Sequence, residues 1–205
     1  MAANVAPAKP WDARLAARLV AAFADTSLQP NHLTAVRLLV GVAAVLLFAL
    51  GTHPLAASWV LVLSNFLDHT DGEFARMTGR FSRFGHEFDL FADRVVTVGL
   101  FVGIGIGLRQ SNLGWPAIMM GLFAGGAVMC IFRLREHMER LGGKSATRQP
   151  QFAGFELEDI LYLCPLVVLA GWLPVFLVAA TLGAPLACLL FYIQYRRHSG
   201  AGGGL

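Results

Sequence analysis

Apolar stretches of nearly membrane-spanning length recur along this chain and restrict the folds open to it. A helix that crosses a bilayer needs about 20 predominantly apolar residues. Six stretches approach that length: 33–50, one that starts at about residue 55, 87–108, 114–132, 156–170 and 173–195. The composition agrees, since 56% of the residues are hydrophobic and only 14% are charged, unlike ordinary soluble domains. We therefore predict an all-α integral membrane protein with six transmembrane helices.

Four carboxylates interrupt the apolar pattern, where an ionisable group is costly and by default functional. Asp68 and Asp71 are three residues apart, and Asp89 and Asp93 are four apart, so each pair shares one face of its helix. The intervening segment allows a tight return, and antiparallel packing would set the pairs face to face. Such charges would repel one another unless a cation neutralised them, and oxygen ligands suit Mg²⁺, Mn²⁺ or Ca²⁺. The spacing predicts a divalent-metal site at a membrane surface.

The same stretch resembles the signature of a known family. It places fixed residues in the order Asp-x2-Asp-Gly-x2-Ala-Arg-x8-Gly-x3-Asp-x3-Asp, met by Asp68, Asp71, Gly72, Ala75, Arg76, Gly85, Asp89 and Asp93. This pattern is similar to that of the CDP-alcohol phosphotransferases (CDP-alcohol phosphatidyltransferases) of the bacterial phospholipid-synthase type. The resemblance is tight over residues 30–93 and beyond them rests on the number of spans. It implies transfer of a phosphatidyl group from a CDP-linked donor, with CDP-diacylglycerol expected, to the hydroxyl of a small alcohol, with release of CMP.

The resemblance also implies roles for individual residues. Two ions, Mg²⁺ or Mn²⁺, are expected, the first on Asp68, Asp71 and Asp89 and the second on Asp71, Asp89 and Asp93. Asp93 is expected to be the base that takes the proton of the acceptor hydroxyl. The expected contacts to the CDP donor come from Asn31, Thr34, Arg37, Gly72, Ala75, Arg76, Ser82 and Gly85. From the sequence alone, Asn31 and Thr34 would be ordinary capping residues.

The distribution of basic residues predicts an orientation. Six spans put both termini on one side, and every lysine and arginine except Arg109 falls on that side. This is a strong positive-inside bias, so we expect the carboxylates and both termini in the cytoplasm, with the protein in a bacterial inner membrane among its lipids.

The N-terminal segment reads as an amphipathic helix over Trp11 to Thr26. Its apolar residues recur at near-helical spacing: Trp11, Leu15, Leu19 and Phe23. Such a helix lies in the plane of the membrane interface, and a soluble helix packed on its own domain is the alternative. The predicted organisation is a tail with this juxtamembrane helix over 1–29, a six-helix domain over 30–198 and a flexible tail over 199–205.

The acceptor site is less defined by the sequence. The fifth span starts with Glu156, Glu158 and Asp159 and lacks a basic cluster that would grip a phosphate, which favours a polyol or an amino alcohol. Arg133 and Arg135 keep a phosphorylated acceptor open. The candidate acceptor contacts are Arg133, Glu156 and Asp159, although acids at a helix start also suit the helix dipole.

Small residues recur at four-residue spacing in the third and fourth spans, at Gly99, Gly103, Gly107, Gly121 and Gly125. They allow helices to approach closely, either within one bundle or across a dimer face. The family resemblance implies a homodimer, and nothing in the sequence indicates a nucleic-acid partner.

Two other classes of membrane protein remain as alternatives. A polyprenyl-diphosphate transferase also binds a diphosphate through Mg²⁺ on Asp-rich motifs, but it normally carries two motifs that are widely separated. A cation transporter would hold its carboxylates near the middle of the membrane. The carboxylates here are predicted at one membrane edge, beside Gly72 and Arg76.

Overall fold

The computed structural model describes residues 11–142 and 161–201, and every regular element in these ranges is a helix. The α-helices are α1 (Trp11–Ala21), α2 (Pro30–Leu50), α3 (Pro54–Thr78), α4 (Arg83–Gly107), α5 (Pro116–Gly142), α6 (Cys164–Leu169) and α7 (Leu173–Ala201). A 3₁₀ turn, Leu108–Gln110, follows α4. The all-α prediction is confirmed for the described residues.

Prolines and glycines set several helix bounds. Helices α2, α3 and α5 begin on Pro30, Pro54 and Pro116, since proline has the φ of a first helical turn and lacks an N–H that would be unpaired there. Gly51 and Gly79 cap the C-termini of α2 and α3, and their φ values of 73° and 65° are left-handed, which favours glycine. The tight return predicted between the two carboxylate pairs is therefore present after Gly79.

Helix α2 is the centre of the bundle. It packs against both α3 and α4, while α4 packs against α5, α5 against α7, and α1 and α6 against α3. Among the described residues, the two Asp-bearing helices pack mainly on α2 rather than on each other. Direct antiparallel packing of α3 on α4 was the wrong expectation, because α2 lies between them and brings their carboxylates together at its own N-terminal half.

The apolar core lies in the half of the bundle away from the carboxylates. It uses the second halves of α2 and α4 and the first halves of α3, α5 and α7, with Ala44, Phe48, Leu61, Leu100, Ile104, Ala117 and Leu177 buried in one cluster. The opposite half can therefore hold polar side chains without breaking the core.

Four helices are long and apolar enough to cross a membrane within the part of the chain that is described: Pro30–Leu50, Arg83–Gln110, Pro116–Arg140 and Leu173–Ile193. Helix α3 has 25 residues, but its second half carries the polar motif. The predicted fifth span, 156–170, begins outside the described residues and continues as a 3₁₀ turn at 161–163 followed by α6. The fold fits an integral membrane protein, with four of the six predicted spans found.

Helix α1 is shorter than predicted. It ends at Ala21 rather than at Thr26, whose hydroxyl donates a hydrogen bond to the Phe23 carbonyl oxygen at 2.6 Å, and such local bonds compete with helix formation. The side chains of Ala16 and Val20 are buried, and α1 packs on α3. The predicted interfacial face remains exposed at Leu15, Leu19 and Phe23, so its contact with a membrane stays a prediction.

Three later helices extend beyond their predicted bounds. Helix α4 begins at Arg83 instead of residue 87, because the Ser82 hydroxyl caps it by accepting the backbone N–H of Gly85 at 2.9 Å. Helix α5 continues beyond residue 132 to Gly142. A hydrogen bond of 2.5 Å from Arg140 Nη2 to Glu136 Oε1 supports this extension. Helix α7 reaches Ala201, so the first part of the tail predicted as flexible is helical. The basic residues near the end of α7 suit a helix C-terminus.

The glycines of the third and fourth spans bring helices together within the chain. A Cβ at Gly103 would lie 2.7 Å from the Val45 carbonyl oxygen of α2, and one at Gly125 would lie 3.2 Å from the Val98 carbonyl oxygen of α4. The remaining three face α2 or α4 in the same way: Gly99, Gly107 and Gly121. Packing within one bundle accounts for all five, and the homodimer stays a prediction that this stripe does not support.

Candidate metal and donor site

Three of the four predicted carboxylates converge at one end of the bundle. One carboxylate oxygen each from Asp68, Asp71 and Asp89 lies within 4.8 Å of the other two. Asp71 is buried, with 5% of its surface exposed, and the other two are partly buried. Three convergent carboxylate oxygens are the donor set that Mg²⁺ and Mn²⁺ prefer, so these residues fit a divalent cation. Asp93 lies one turn beyond Asp89 and is not part of this group of three.

Arg37 of α2 lies at the centre of this cluster. Its side chain is ion-paired with Asp68, its Nη1 is 3.4 Å from Asp89 Oδ1, and its Nη2 is 2.7 Å from Asp93 Oδ1. Nη2 also donates to the Asp89 backbone carbonyl at 3.4 Å. Arg37 is only 2% exposed, so its guanidinium faces carboxylates rather than open space. A contact from Arg37 to a donor phosphate would require it to leave at least one of these partners.

The hydroxyl groups of Thr34 and Ser64 form hydrogen bonds between α2 and α3 beside the carboxylates. Thr34 Oγ1 donates to Asp71 Oδ2 at 2.6 Å, and both residues are buried. Ser64 Oγ of α3 donates to the backbone carbonyl of Arg37 at 3.0 Å. Buried polar groups require such partners, and these two bonds hold α2 in register with α3. Thr34, expected to meet the donor, therefore acts in this arrangement on a carboxylate of the cluster.

Asn31, Ser82 and Gly85 meet where α2 and α4 begin. A Cβ at Gly85 would lie 2.6 Å from Asn31 Oδ1 and 2.9 Å from Ser82 Oγ, so only glycine leaves room for both side chains. Asn31 and Ser82 also line a cavity of about 400 Å³, together with Ser27, Gln29, Pro30, Arg80 and Phe81. Arg80 Nη1 donates to the carbonyl oxygens of Thr26 and Leu28, at 3.1 and 2.5 Å. Three of the expected donor residues are thus brought together beside a cavity.

Arg76 lies over Gly72 on α3. A Cβ at Gly72 would be 3.4 Å from Arg76 Nη2. The Arg76 guanidinium donates twice to Glu73 Oε1, from Nε at 3.2 Å and from Nη2 at 2.9 Å. Glu73 is buried and Arg76 is exposed, so the carboxylate anchors an otherwise solvent-facing guanidinium. Ala75, the remaining donor residue of the motif, is partly buried on the same helix.

A second and larger cavity, of about 730 Å³, adjoins Asp93 between α4 and α5. Its charged walls are formed by four arginines and four acids: Arg83, Arg94, Arg135 and Arg140, and Glu87, Asp93, Glu136 and Glu139. Arg94 Nη2 donates to Glu136 Oε2 at 2.7 Å, and Arg140 Nη2 donates to Glu136 Oε1 at 2.5 Å. One carboxylate therefore bridges two guanidiniums from neighbouring helices in the wall of this cavity.

The two arginines considered for the acceptor site, Arg133 and Arg135, line two different cavities. Arg133 lines a different cavity, of about 440 Å³, with Cys130, His137 and Tyr195 among its neighbours, whereas Arg135 lines the cavity of Asp93. This difference follows from the helical course of α5, because residues two apart point to different faces. Glu156 and Asp159 lie outside the described residues.

Three residues near the site were not singled out from the sequence. Glu73 could have been found from its i,i+3 spacing to Arg76, and Glu136 from its i,i+4 spacing to Arg140. Arg94 gave no comparable signal, because its partner lies on another helix.

Comparisons with known proteins show the family of this chain. A family model described as CDP-alcohol phosphatidyltransferase matches residues 27–191. The archaetidylinositol phosphate synthase of Pyrococcus horikoshii is 34% identical over 90 residues, which are 44% of this chain and 47% of that protein. The CDP-diacylglycerol–serine O-phosphatidyltransferase of Helicobacter pylori is 40% identical over 108 residues, 51% of this chain and 45% of that protein. The chain thus spans about half the length of these relatives.

Solved structures resemble the whole fold. The phosphatidylinositol phosphate synthase of Mycobacterium tuberculosis with CDP-DAG bound has a TM-score of 0.63 at 22% identity, covering 90% of this chain and 91% of that one. The same synthase in complex with manganese and citrate has a TM-score of 0.61 at 22% identity, covering 91% and 86%. At this identity the similarity shows a shared fold.

Proposed function

Because the chain belongs to the CDP-alcohol phosphatidyltransferase family, whose model matches residues 27–191, we propose that it is a phosphatidyltransferase. It transfers a phosphatidyl group from CDP-diacylglycerol to the hydroxyl of a small alcohol and releases CMP. One observation carries this proposal: Asp68, Asp71 and Asp89 converge within 4.8 Å. In addition, Asp93 on the adjacent turn lines a cavity of about 730 Å³ that can hold a second substrate.

The donor is recognised at the start of α2 and α4. Asn31 and Ser82 line the smaller cavity, and Gly85 lies against both of them. The exposed Arg76 offers a planar set of donors to a phosphate. Gly72 and Ala75 keep this face of α3 shallow enough for the nucleotide to approach. The mycobacterial synthase of similar fold was solved with CDP-DAG bound, which supports a lipid-linked donor.

The carboxylates hold divalent cations, Mg²⁺ or Mn²⁺. Bound there, such ions neutralise the diphosphate and stabilise the departing phosphate of CMP. The family resemblance assigns two ions, one on Asp68, Asp71 and Asp89 and one on Asp71, Asp89 and Asp93. A related fold was solved in complex with manganese.

Asp93 acts as the base. It lines the 730 Å³ cavity and can accept the proton of an acceptor hydroxyl located there. As that proton moves to Asp93, the acceptor oxygen forms its bond to the phosphorus next to diacylglycerol, and the bond from that phosphorus to the bridging oxygen of CMP breaks. The products are a phosphodiester-linked lipid and CMP.

The acceptor occupies the cavity beside Asp93. Arginines and acids are equal in number on its walls, so the charges do not select an anionic acceptor and leave a polyol or an amino alcohol as the first candidates. Arg135 keeps a phosphorylated alcohol as the second candidate. The related proteins act on different alcohols by name, and a panel of acceptors is therefore the direct test.

We place the protein in a bacterial inner membrane with six spans, which are the four apolar helices together with α3 and the stretch 156–170 predicted from the sequence. The site faces the cytoplasm on the basis of the positive-inside bias. α1 lies in the interface through its exposed apolar face, and the protein forms a homodimer, as the family resemblance implies.

The test is CMP release by the purified protein in nanodiscs with CDP-diacylglycerol and Mg²⁺ or Mn²⁺. The acceptor panel is glycerol 3-phosphate, inositol, inositol phosphate, serine, ethanolamine and choline. Asp93→Asn should abolish turnover and retain donor binding. Asp25→Asn, which removes an exposed carboxylate outside the site, is the matched control and should be fully active.

The rival functions predict different outcomes. A polyprenyl-diphosphate transferase would release pyrophosphate from a prenyl donor and ignore CDP-diacylglycerol. A cation transporter would bind neither donor and would move a divalent ion across a proteoliposome membrane. Metal-dependent binding of CDP-diacylglycerol without turnover on any acceptor would leave the proposed reaction class standing and would exclude the acceptors of the panel.

A further inference from the structure

Six exposed side chains of α5 form a stripe that changes from apolar to basic along the helix. Steps of three, four and seven residues place them on one helix face: Met119, Phe123, Cys130, Arg133, His137 and Arg140. In a helix that crosses a membrane, exposed apolar side chains face the acyl chains, and arginines near the helix end extend to the headgroups. The stripe therefore indicates that α5 leaves the apolar layer at about Arg133.

Helix α7 runs beside α5 in the same direction. Thr181 Oγ1 lies 3.5 Å from the Met120 carbonyl oxygen in the first halves of the two helices. Near their ends, the rings of His137 and Tyr195 meet edge to face with centroids 5.4 Å apart. Each helix contains one of the four apolar spans, so both chains of contacts end at the same membrane surface.

The cavity of about 440 Å³ that Arg133 lines lies between these two helix ends, and we call it the α5–α7 groove. Glu136 and Arg140 line both this groove and the cavity of Asp93, so they form a wall between the two. Asp93 is not among the described residues that line the groove. The groove is therefore at the carboxylate end of the bundle but separate from the proposed acceptor site.

The groove carries an excess of positive charge. The Arg133 guanidinium is exposed and has no hydrogen-bond or ion-pair partner among the described residues. Glu136 is the one acid among the described residues of the groove, and it already accepts from Arg94 and Arg140. No carboxylate in the groove is thus left to pair with a ligand cation, whereas Arg133 is available to an anion.

These features suit the headgroup of an anionic phospholipid. Basic pockets between membrane helices on the cytoplasmic side bind such headgroups, and a guanidinium matches the oxygens of a phosphate in a planar, bidentate way. The volume is within the range of small-molecule sites. Below the groove, the exposed Met119 and Phe123 continue the same face of α5 as an apolar surface for an acyl chain.

We propose that the α5–α7 groove binds the phosphodiester of an anionic phospholipid, with Arg133 as its main contact. The site is additional to the donor and acceptor sites proposed above and needs no metal ion. It assigns Arg133, expected from the sequence at the acceptor site, to a membrane lipid. A soluble phosphorylated alcohol would meet the same guanidinium, so the experiment has to separate these two sources of phosphate.

The test is titration of the full-length protein in a neutral detergent with phosphatidylglycerol or phosphatidylcholine, with bound lipid counted by native mass spectrometry. We expect one phosphatidylglycerol to bind more tightly than phosphatidylcholine. Arg133→Met should weaken that binding about ten- to a hundred-fold, the range for losing a hydrogen bond to a charged group. Arg133→Glu should abolish the preference for the anionic lipid.

Arg18→Met is the matched control, because Arg18 is also an exposed arginine without a partner among the described residues, but lies on α1. A neutral micelle has no anionic surface to attract it, so this variant should keep the wild-type affinity. Neither glycerol 3-phosphate nor CDP-diacylglycerol should displace the lipid that depends on Arg133.

Unchanged phosphatidylglycerol binding in Arg133→Met would overturn the inference. Displacement by glycerol 3-phosphate would identify the groove as a site for a soluble phosphorylated alcohol, and displacement by CDP-diacylglycerol would place the bound lipid at the donor site; either result overturns it too. The same spectra report the oligomeric state. A change in the ratio of monomer to dimer in Arg133→Met, with lipid binding intact, would show that this face joins two copies of the chain instead.

Discussion

The contact between Gly85 and Asn31 gives a prediction in which two local effects oppose each other. Gly85 is helical without a positive φ, so alanine meets no backbone strain there. In a helix, alanine is favoured over glycine by about 1 kcal/mol. Its Cβ, however, would lie 2.6 Å from Asn31 Oδ1 and 2.9 Å from Ser82 Oγ, and overpacking of this kind costs about 1–3 kcal/mol.

These magnitudes predict a variant that folds but has an altered donor site. The net change in the free energy of unfolding for Gly85→Ala should lie between about zero and 2 kcal/mol of destabilisation, the difference between the two effects. Relief of the clash moves the Asn31 amide. Loss of one hydrogen bond to the donor, worth about 0.5–1.5 kcal/mol, would weaken CDP-diacylglycerol binding by roughly two- to ten-fold.

Donor binding and thermal unfolding, measured on the same nanodisc preparation, test this reasoning. Gly126→Ala is the matched control, because a Cβ at Gly126 meets no atom within 4 Å among the described residues, and it should keep the wild-type donor affinity. Wild-type affinity in Gly85→Ala would refute the assigned role of Asn31. An equal loss of affinity in Gly126→Ala would show a general effect of the substitution rather than a local clash.

Three further predictions concern the metal and acceptor sides of the site. Thr34→Val removes the 2.6 Å hydrogen bond to Asp71 and should weaken Mn²⁺ binding, measured by calorimetry, about ten- to a hundred-fold, as for other residues that orient metal ligands. Thr34→Ser keeps the hydroxyl and should keep the affinity. Unchanged Mn²⁺ binding in Thr34→Val would contradict the role of the hydroxyl. Arg94→Met breaks the 2.7 Å contact with Glu136 and should raise the acceptor KM for CMP release while sparing donor binding, so that weaker donor binding would count against this placement of the acceptor. Chelation with EDTA should abolish CMP release and added Mn²⁺ should restore it, and turnover that persists in the chelator would exclude the metal role.

The carboxylate cluster was predictable from sequence because its determinants are local. Steps of three and four residues fix which side chains share a helix face, and the segment around Gly79 is long enough for a return. The convergence of Asp68, Asp71 and Asp89 follows from those two facts once the helices are brought together. The same reasoning did not identify what brings them together, because the pattern contains no information about which helix packs between α3 and α4.

Arg37 shows what local patterns could not provide. Because Arg37 lies one turn beyond Thr34 on an apolar helix, the sequence predicts that it contacts a donor phosphate. Its burial among three carboxylates depends instead on the central position of α2. The cavity at Asp93 was missed for the same reason, since Arg94 and Glu136 come from different helices. The sequence predicts that the fourth span ends at Phe132 before a polar segment, whereas α5 continues to Gly142, with Glu136 and Arg140 paired along the helix.

The directions of the helices explain why anion and cation sites can lie side by side at one end of the bundle. Helices α2 and α4 begin there, and a helix N-terminus carries partial positive charge and unpaired N–H groups that favour a phosphate. Helix α3 ends there and carries Asp68 and Asp71 about two to three turns before its last residue, so a cation would be attracted by their carboxylates rather than by the helix end. The proposed diphosphate donor next to the starts of α2 and α4 would therefore complement the backbone, and the proposed divalent ions would complement the carboxylates of α3 and α4. Reversing α2 or α4 would place a partly negative helix end beside the proposed diphosphate, so the directions of these two helices favour this arrangement of donor and metal.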